Sequence, residues 1–322
     1  MKVPSIIKKI PGYYFLRESF IYFKTLFSYV FLNQREKDEI IVYIDGGLTS
    51  QMYQYTMGQE IERITGISVG YDVTWFETCG KDLNGIANRP LKLEKAFPSI
   101  KINKASKEKI KIYKILFNKY NQKVLVQNLD NIDLTKPPIY LGGYWSSKKY
   151  TNFDNDYLQN KFIFKLNLDQ KNSRVFTEIQ HCVCSVALHI RLGDFIGSIH
   201  EVITPQYFFN AIKLITNMIL PERPHFFVFS NDIEKCKTNI ITSDISGHFN
   251  FVDINDEANG EYDLFLMSHC HHFIISNSGF GMYAALLSKR SKNKIVIQPN
   301  KNWKAQTETN RPSYPGWIVM DC

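Results

Sequence analysis

The feature that most constrains this 322-residue chain is the alternation, from Glu39 onward, of short apolar runs with helix-patterned segments. Ile40-Ile41-Val42-Tyr43-Ile44 reads as a buried strand, followed by Gly46-Gly47 and a helical run over about 50–64, with a second strand over 67–71. A lysine-faced helix is expected over 105–120 and strands over 123–127 and 139–141. In the second half, strands are expected over 186–190, 226–229, 249–252, 273–276 and 295–297, and helices over 262–268 and 280–288. Thr204-Pro205, an N-cap residue followed by proline, opens another helix with Phe208, Ala211, Ile212 and Ile215 on one face. Strands separated by helices imply an α/β fold with mostly parallel sheets, whose ligands sit at the carboxyl ends of the strands. The pattern divides the chain into an extension over 1–38, one α/β domain over 39–170 and a second over 171–322.

The net charge of +8 first suggests a polyanionic partner. Its distribution argues otherwise: residues 1–35 carry +5, residues 101–123 carry +7, and the remainder is −4. A mildly acidic body with two basic appendages does not form a nucleic-acid groove, and the 101–123 run has eight lysines, no arginine and only three aromatics. No nucleic-acid partner is expected. The N-terminus, MKVPSIIKKIPGYYFLRESFIYFKTLFSYVFLNQ, is apolar, aromatic and basic, but charges and prolines interrupt it too often for a transmembrane helix or a signal peptide. It suits either an anionic membrane surface or packing on the main body. The expected location is cytoplasmic and peripheral on a membrane.

Six cysteines without C-x-x-C spacing indicate neither a disulfide scaffold nor a zinc site. Cys270-His271-His272 resembles metal chemistry only superficially, since adjacent residues point in different directions and no second pair stands at ligand spacing.

Three strand-to-loop junctions hold polar residues suited to an anion. Asp45-Gly46-Gly47-Leu48-Thr49-Ser50-Gln51 follows a strand and opens a helix, where glycines allow close backbone approach; a simple βα turn would look the same. In His189-Ile190-Arg191-Leu192-Gly193-Asp194 the alternation of a strand puts His189 and Arg191 on one face, so both can reach one anion, while an Arg191–Asp194 salt bridge is the simpler reading. Ser276-Asn277-Ser278-Gly279-Phe280-Gly281 again joins strand to helix, and a capped helix start explains its Ser and Asn as well as phosphate binding does.

In their joint order these segments resemble the α-1,2-fucosyltransferases of glycosyltransferase family 11. Gly46-Gly47-Leu48-x-x-Gln51-Met52-Tyr53-Gln54-Tyr55 resembles G-G-L-G-N-Q-M-F-Q-Y, and His189-Ile190-Arg191-Leu192-Gly193-Asp194-Phe195 resembles H-x-R-R-G-D-Y. Phe229-Ser230-Asn231-Asp232 is similar to F-S-D-D, and Gly143-Tyr144-Trp145-x-Ser147 to G-Y-W-Q-S. Tyr262-Asp263-Leu264-x-Leu266-Met267-Ser268 with Asn277-Ser278-Gly279-Phe280-Gly281 resembles Y-D-L-x-L-M-S and N-S-S-F-S. The resemblance implies two Rossmann-like domains facing across a cleft, the GT-B arrangement, with the acceptor on the N-terminal and the donor on the C-terminal domain. It also implies inverting transfer of L-fucose from GDP-β-L-fucose to a galactose-type hydroxyl of a surface polysaccharide, on an acceptor joined to a lipid carrier, without metal or other cofactor.

Carried over, Arg191 would bind the β-phosphate, with Asp194 and His189 as its catalytic companions and His200 and Glu201 as rival bases. Asn277, Ser278, Gly279 and Phe280 would hold the diphosphate, Asp232 the nucleoside, and Gly46, Gly47 and Gln51 would close over the sugar or acceptor. The chain departs from the pattern at Leu192 (Arg), Thr49-Ser50 (Gly-Asn), Gly279 and Gly281 (both Ser). Changes beside the sugar open an alternative donor, GDP-colitose, the 3-deoxy relative of GDP-fucose. A non-catalytic sugar-nucleotide-binding protein is the more distant alternative.

Overall fold

The computed structural model describes residues 13–32, 37–81, 85, 88–120, 126–147, 149–150, 155–241, 247–304 and 314–322. Two compact units result, and neither is continuous in sequence. The first comprises Met1–Asp45, Gln51–Cys79 and Lys101–Phe153, the second Gly46–Ser50, Gly80–Ile100 and Asp154–Cys322. The boundary expected at 170 therefore gives way to a division at 153/154, with 46–50 and 80–100 also joining the second unit. Linear patterning reports local periodicity and cannot show that a segment folds back.

The first unit is built on β1 (Ile40–Tyr43), β2 (Val69–Asp72), β3 (Val126–Asn128), β4 (Ile139–Leu141) and β5 (Tyr144–Ser146). A parallel sheet has the order β2-β1-β4, and β3 pairs in parallel with β5. Of the strand expected over 123–127, residues 123–125 lie outside the described residues. The lysine-rich helix runs over Lys107–Leu116, and the hydroxyl of Ser106 caps it by accepting from the Lys109 N–H at 3.2 Å. Lys107 and Lys111 are exposed, as a lysine-faced helix implies, whereas Lys109 and Lys114 are partly buried. Lys107 pairs with Glu77 at 2.5 Å, Lys109 with Glu39 at 2.6 Å and Lys114 with the buried Asp72 at 2.7 Å. Burial raises the Asp72 carboxyl, but hydrogen bonds from Lys114, Tyr140 and Thr74 outweigh it and hold the group below its ordinary value. Lys109 and Lys114 thus fasten this helix to the unit's own sheet.

The N-terminal helix spans Tyr13–Val30, while residues 1–12 lie outside the described residues. One edge is buried, with Thr25 at 4% exposure and the Tyr29 ring 4.9 Å from Phe117. Elsewhere Phe15, Leu16, Phe20, Phe23 and Phe27 are exposed. The expected packing on the main body is therefore made along one edge of the helix, while its other aromatic side chains are exposed. Among the described residues no helix is long and apolar enough to cross a membrane.

The second unit carries β6 (Ser185–Ile190), β7 (His225–Ser230), β8 (His248–Val252), β9 (His272–Ile275), β10 (Val296–Pro299) and β11 (Ile318–Met320), in the order β11-β10-β9-β6-β7-β8 with parallel pairing throughout. All six residues of β6 are buried, as a strand covered on both faces requires. Val186, Leu188, Ile190, Phe226, Val228, Ile274 and Ile297 form one core with the Pro205–Met218 helix. The Thr204 hydroxyl caps that helix by accepting from the Tyr207 N–H at 3.4 Å, and the Tyr207 hydroxyl donates to the Ile275 carbonyl at 2.7 Å. After β8 the chain returns to the opposite side of β6, so the strand order reverses between β6 and β9. In open α/β sheets that reversal leaves a crevice at the strands' carboxyl ends where ligands bind. Among the elements that escaped the sequence reading are the Asn155–Lys161, Gln170–His181 and Ile233–Asn239 helices and the three-residue edge strand β11.

The 80–100 segment is pinned to the second unit by a buried ion pair. Lys92 Nζ donates to Glu261 Oε2 and to the Ala258 carbonyl, and Lys95 reaches Glu261 Oε1 at 2.9 Å. Glu261 is fully buried. Burial alone would raise its carboxyl, yet the hydrogen bonds from Lys92 and Lys95 prevail and hold it below the ordinary value. Phe97 adds ring contacts of 5.0 Å to Phe162 and 4.7 Å to Phe164. Removing one member of such a pair strands the other charge. Glu261→Gln is expected to cost about 3 kcal/mol or more in denaturant unfolding, and Lys92→Met combined with Glu261→Leu to recover most of that loss.

Candidate functional site

At the carboxyl end of β6 the chain turns through Arg191 to Asp194, and a cluster of four charges forms there. Arg191 Nε donates to Asp194 Oδ1 at 2.8 Å, and its Nη2 lies 3.3 Å from Glu257 Oε1. Arg89, from the pinned segment, donates from Nη2 to Asp194 Oδ2 at 3.3 Å, and its Nε stands 3.6 Å from Glu257 Oε2. Each guanidinium side chain is 18% exposed, Asp194 5% and Glu257 33%. The Arg191 guanidinium also sits 5.7 Å over the Phe195 ring. Both oxygens of Asp194 hold arginines, so its place is that of an orienting carboxylate. Neither Arg89 nor Glu257 could be found from sequence, because Asn88-Arg89-Pro90 carries no motif and the Asp256–Asn259 turn no periodicity.

Leu192, where the family pattern has a second arginine, turns its side chain into the core of the sheet, and its N–H donates to Asn231 Oδ1 at 2.9 Å. A Cβ on Gly193 would meet Asn231 Nδ2 at 2.0 Å, so glycine lets the β7 loop approach the Arg191 loop. Asp232 caps the Ile233–Asn239 helix, accepting from the Lys235 N–H at 3.1 Å and pairing with its ammonium at 2.8 Å.

The polar residues at the ends of β6 and β9 are engaged within the protein. His189 is buried beside Phe280, the rings 5.7 Å apart and near-parallel, with Nδ1 2.8 Å from Ser276 Oγ. It braces β6 against β9 rather than sharing an open face with Arg191. The Asn277 amide donates to the His200 and Asn302 carbonyls, each at 2.9 Å, and so ties two loops together. Ser278 is the N-cap of the Gly279–Leu287 helix, its hydroxyl accepting from the Phe280 N–H at 3.2 Å. What this junction offers an anion is the helix terminus. Gly281 permits the helix to lie against the sheet, since a Cβ there would be 2.8 Å from Ile275 and 3.1 Å from His189 Nδ1.

The Gly46–Ser50 turn packs in the same unit. Gly46 has φ 72°, a conformation that favours glycine, and Gly47 lies beside Arg89 Nη1. A Cβ on Gly279 would stand 3.3 Å from Thr49 Oγ1, so two departures from the family pattern meet in space. The hydroxyl at 49 occupies room that a side chain at 279 would need. Gln51, fully buried, lies in the Leu48–Thr65 helix. The preceding Asp45 accepts from Gln54 Nε2 at 2.8 Å, and burial raises its carboxyl against the opposing hydrogen bonds from Gln54 and Tyr144.

Of the rival bases, Glu201 is held below its ordinary value by its hydrogen bond from Lys304, while His200 stacks on Phe195 with Nδ1 3.1 Å from the Asn302 carbonyl. His271 bonds Ser185 and accepts from Arg290 Nε at 3.1 Å, and His272 Nδ1 accepts from the Ile295 N–H at 3.0 Å. All six cysteines are free thiols. Among the described residues no group of three or more His, Cys, Asp or Glu could hold a metal ion.

The chain is similar in sequence to known glycosyltransferases. The α-1,2-colitosyltransferase of Escherichia coli is 28% identical over 308 residues, 88% of this chain and 99% of that protein. Human galactoside α-(1,2)-fucosyltransferase 1 is 26% identical over 167 residues, covering 48% of this chain but only 45% of that protein. The crystal structure of the fucosyltransferase NodZ from Bradyrhizobium aligns with 78% of this chain and 93% of its own at 11% identity, with a TM-score of 0.43. The model of glycosyl transferase family 11 matches residues 87–321, which include the Arg89–Arg191 cluster and the whole sheet of the second unit, and the chain belongs to that family.

Proposed function

We propose that this chain transfers a 6-deoxyhexose from a GDP-sugar to a galactose-type hydroxyl of a bacterial surface polysaccharide, forming an α-1,2 linkage with inversion at the anomeric carbon. The observation that carries the reading is Arg191, held by Asp194 at the carboxyl end of β6, where the strand order reverses and the Gly279–Leu287 helix begins. In a single displacement the acceptor oxygen attacks C1, the bond from C1 to the phosphate oxygen breaks, GDP departs and the hydroxyl proton is lost. Charge builds on the departing diphosphate, and a preoriented guanidinium and a helix N-terminus meet it without a divalent ion.

Fucose is the first reading of the donor. Colitose is the second, supported by the end-to-end match to a colitosyltransferase and by Thr49 beside Gly279. With purified protein and a panel of galactosides, GDP release is expected from both donors at rates that EDTA leaves unchanged. Faster turnover of GDP-fucose rejects colitose, and dependence on added metal rejects the metal-free mechanism. Arg191→Ala is expected to lower kcat on the order of 10²-fold or more, whereas Arg63→Ala, at an exposed Glu60 pair, leaves it unchanged.

The acceptor is read as lipid-linked and the enzyme as peripheral on the inner membrane face. The exposed Phe15, Phe20, Phe23 and Phe27 of the N-terminal helix support this, because such a face gains by lying among acyl chains. The triple change Phe20→Asp, Phe23→Asp and Phe27→Asp is expected to abolish co-sedimentation with phosphatidylglycerol vesicles. Retention of wild-type binding would refute the membrane reading.

A further inference from the structure

We propose that Arg89 and Arg191 form a paired guanidinium clamp for the donor's diphosphate, and that Glu257 keeps its place until the nucleotide arrives. This deepens the GDP-sugar reading and rests on it.

In the Arg191–Asp194 turn after β6 Arg191 is the one cation, because position 192 is a leucine, packed against the core. The second comes from a distant segment that Lys92–Glu261 locks in position three residues beyond Arg89. Both guanidinium groups face the same two carboxylates, which differ in how firmly they are held. Asp194 is almost fully buried and takes the 2.8 Å contact from Arg191; Glu257 is a third exposed, and its contacts are 3.3 and 3.6 Å. Among the described residues, Arg89 Nε is buried with no hydrogen-bond partner. An unsatisfied buried donor is costly, and an incoming oxyanion would give it an acceptor. Two arginines balanced by two carboxylates are neutral, so a diphosphate can bind strongly only by displacing one carboxylate, and Glu257 is the looser and more accessible. Asp194 remains to keep both forks aligned.

Calorimetric titration of the full chain with GDP and with GMP tests this. Arg89→Ala is expected to weaken GDP binding at least tenfold and to shrink the preference for GDP over GMP, with Arg89→Lys intermediate. Glu257→Gln is expected to tighten GDP binding severalfold, a gain that a merely structural ion pair would not yield. Arg63→Ala, at an exposed surface pair, serves as the neutral control. A folded Arg89→Ala protein with wild-type GDP and GMP affinities overturns the clamp, and Glu257→Gln with unchanged or weaker GDP binding overturns the place-keeping role. Should Arg89→Ala not fold, Arg89→Lys and Glu257→Gln still decide. A wild-type chain that binds neither nucleotide overturns the donor reading and the clamp with it, whereas wild-type binding that ignores Arg89 overturns the clamp alone.

Discussion

The arrangement at the end of β6 depends on the buried pair between Lys92 and Glu261. A carboxylate removed from water must be matched by cations, and here two lysines of one segment supply them. Their attraction holds residues 80–100 against the first turn of the Gly260–Ser268 helix, leaving Arg89 beside Asp194 and Glu257. Without that anchor the loop after β6 would present a lone arginine. The electrostatics of the site thus follow from an ion pair that does not itself face the crevice.

Glycines set the distances on which the same region relies. Gly193 admits Asn231, which accepts from the Leu192 N–H and so joins the ends of β6 and β7. Gly281 lets the last long helix lie against His189 and Ile275, bringing its N-terminus to the end of β9. Several residues that look like ligands are the fasteners of this arrangement: His189 braces Ser276, Asn277 binds two carbonyls, and Asp232 and Ser278 cap helices. A loop at the end of a strand has to satisfy its own polar groups, and these side chains do so.

The lysines show how charge counts mislead when read by segment. The 101–123 run suggests a solvated basic appendage, yet Lys107, Lys109 and Lys114 each hold a carboxylate of the first unit. The N-terminal helix is the converse case. Its aromatic character was visible in the sequence, and the structure adds which residues lie outward and which pack on Phe117.

Most of the parallel strands and the principal helices were legible in the sequence, because a strand covered on both faces must be a continuous apolar run and a helix start needs a cap such as Thr204-Pro205 or Ser278. The place of Arg191 and the three glycine-bearing junctions followed for the same reason, since each is local. Tertiary structure alone decided the reversal of strand order between β6 and β9, the return of residues 46–50 and 80–100 to the second unit, and hence the meeting of Arg89 with Arg191 across a separation of about a hundred positions. Those contacts are made by single long side chains with no repeating pattern, and periodicity carries no information about which distant charge a buried carboxylate will find.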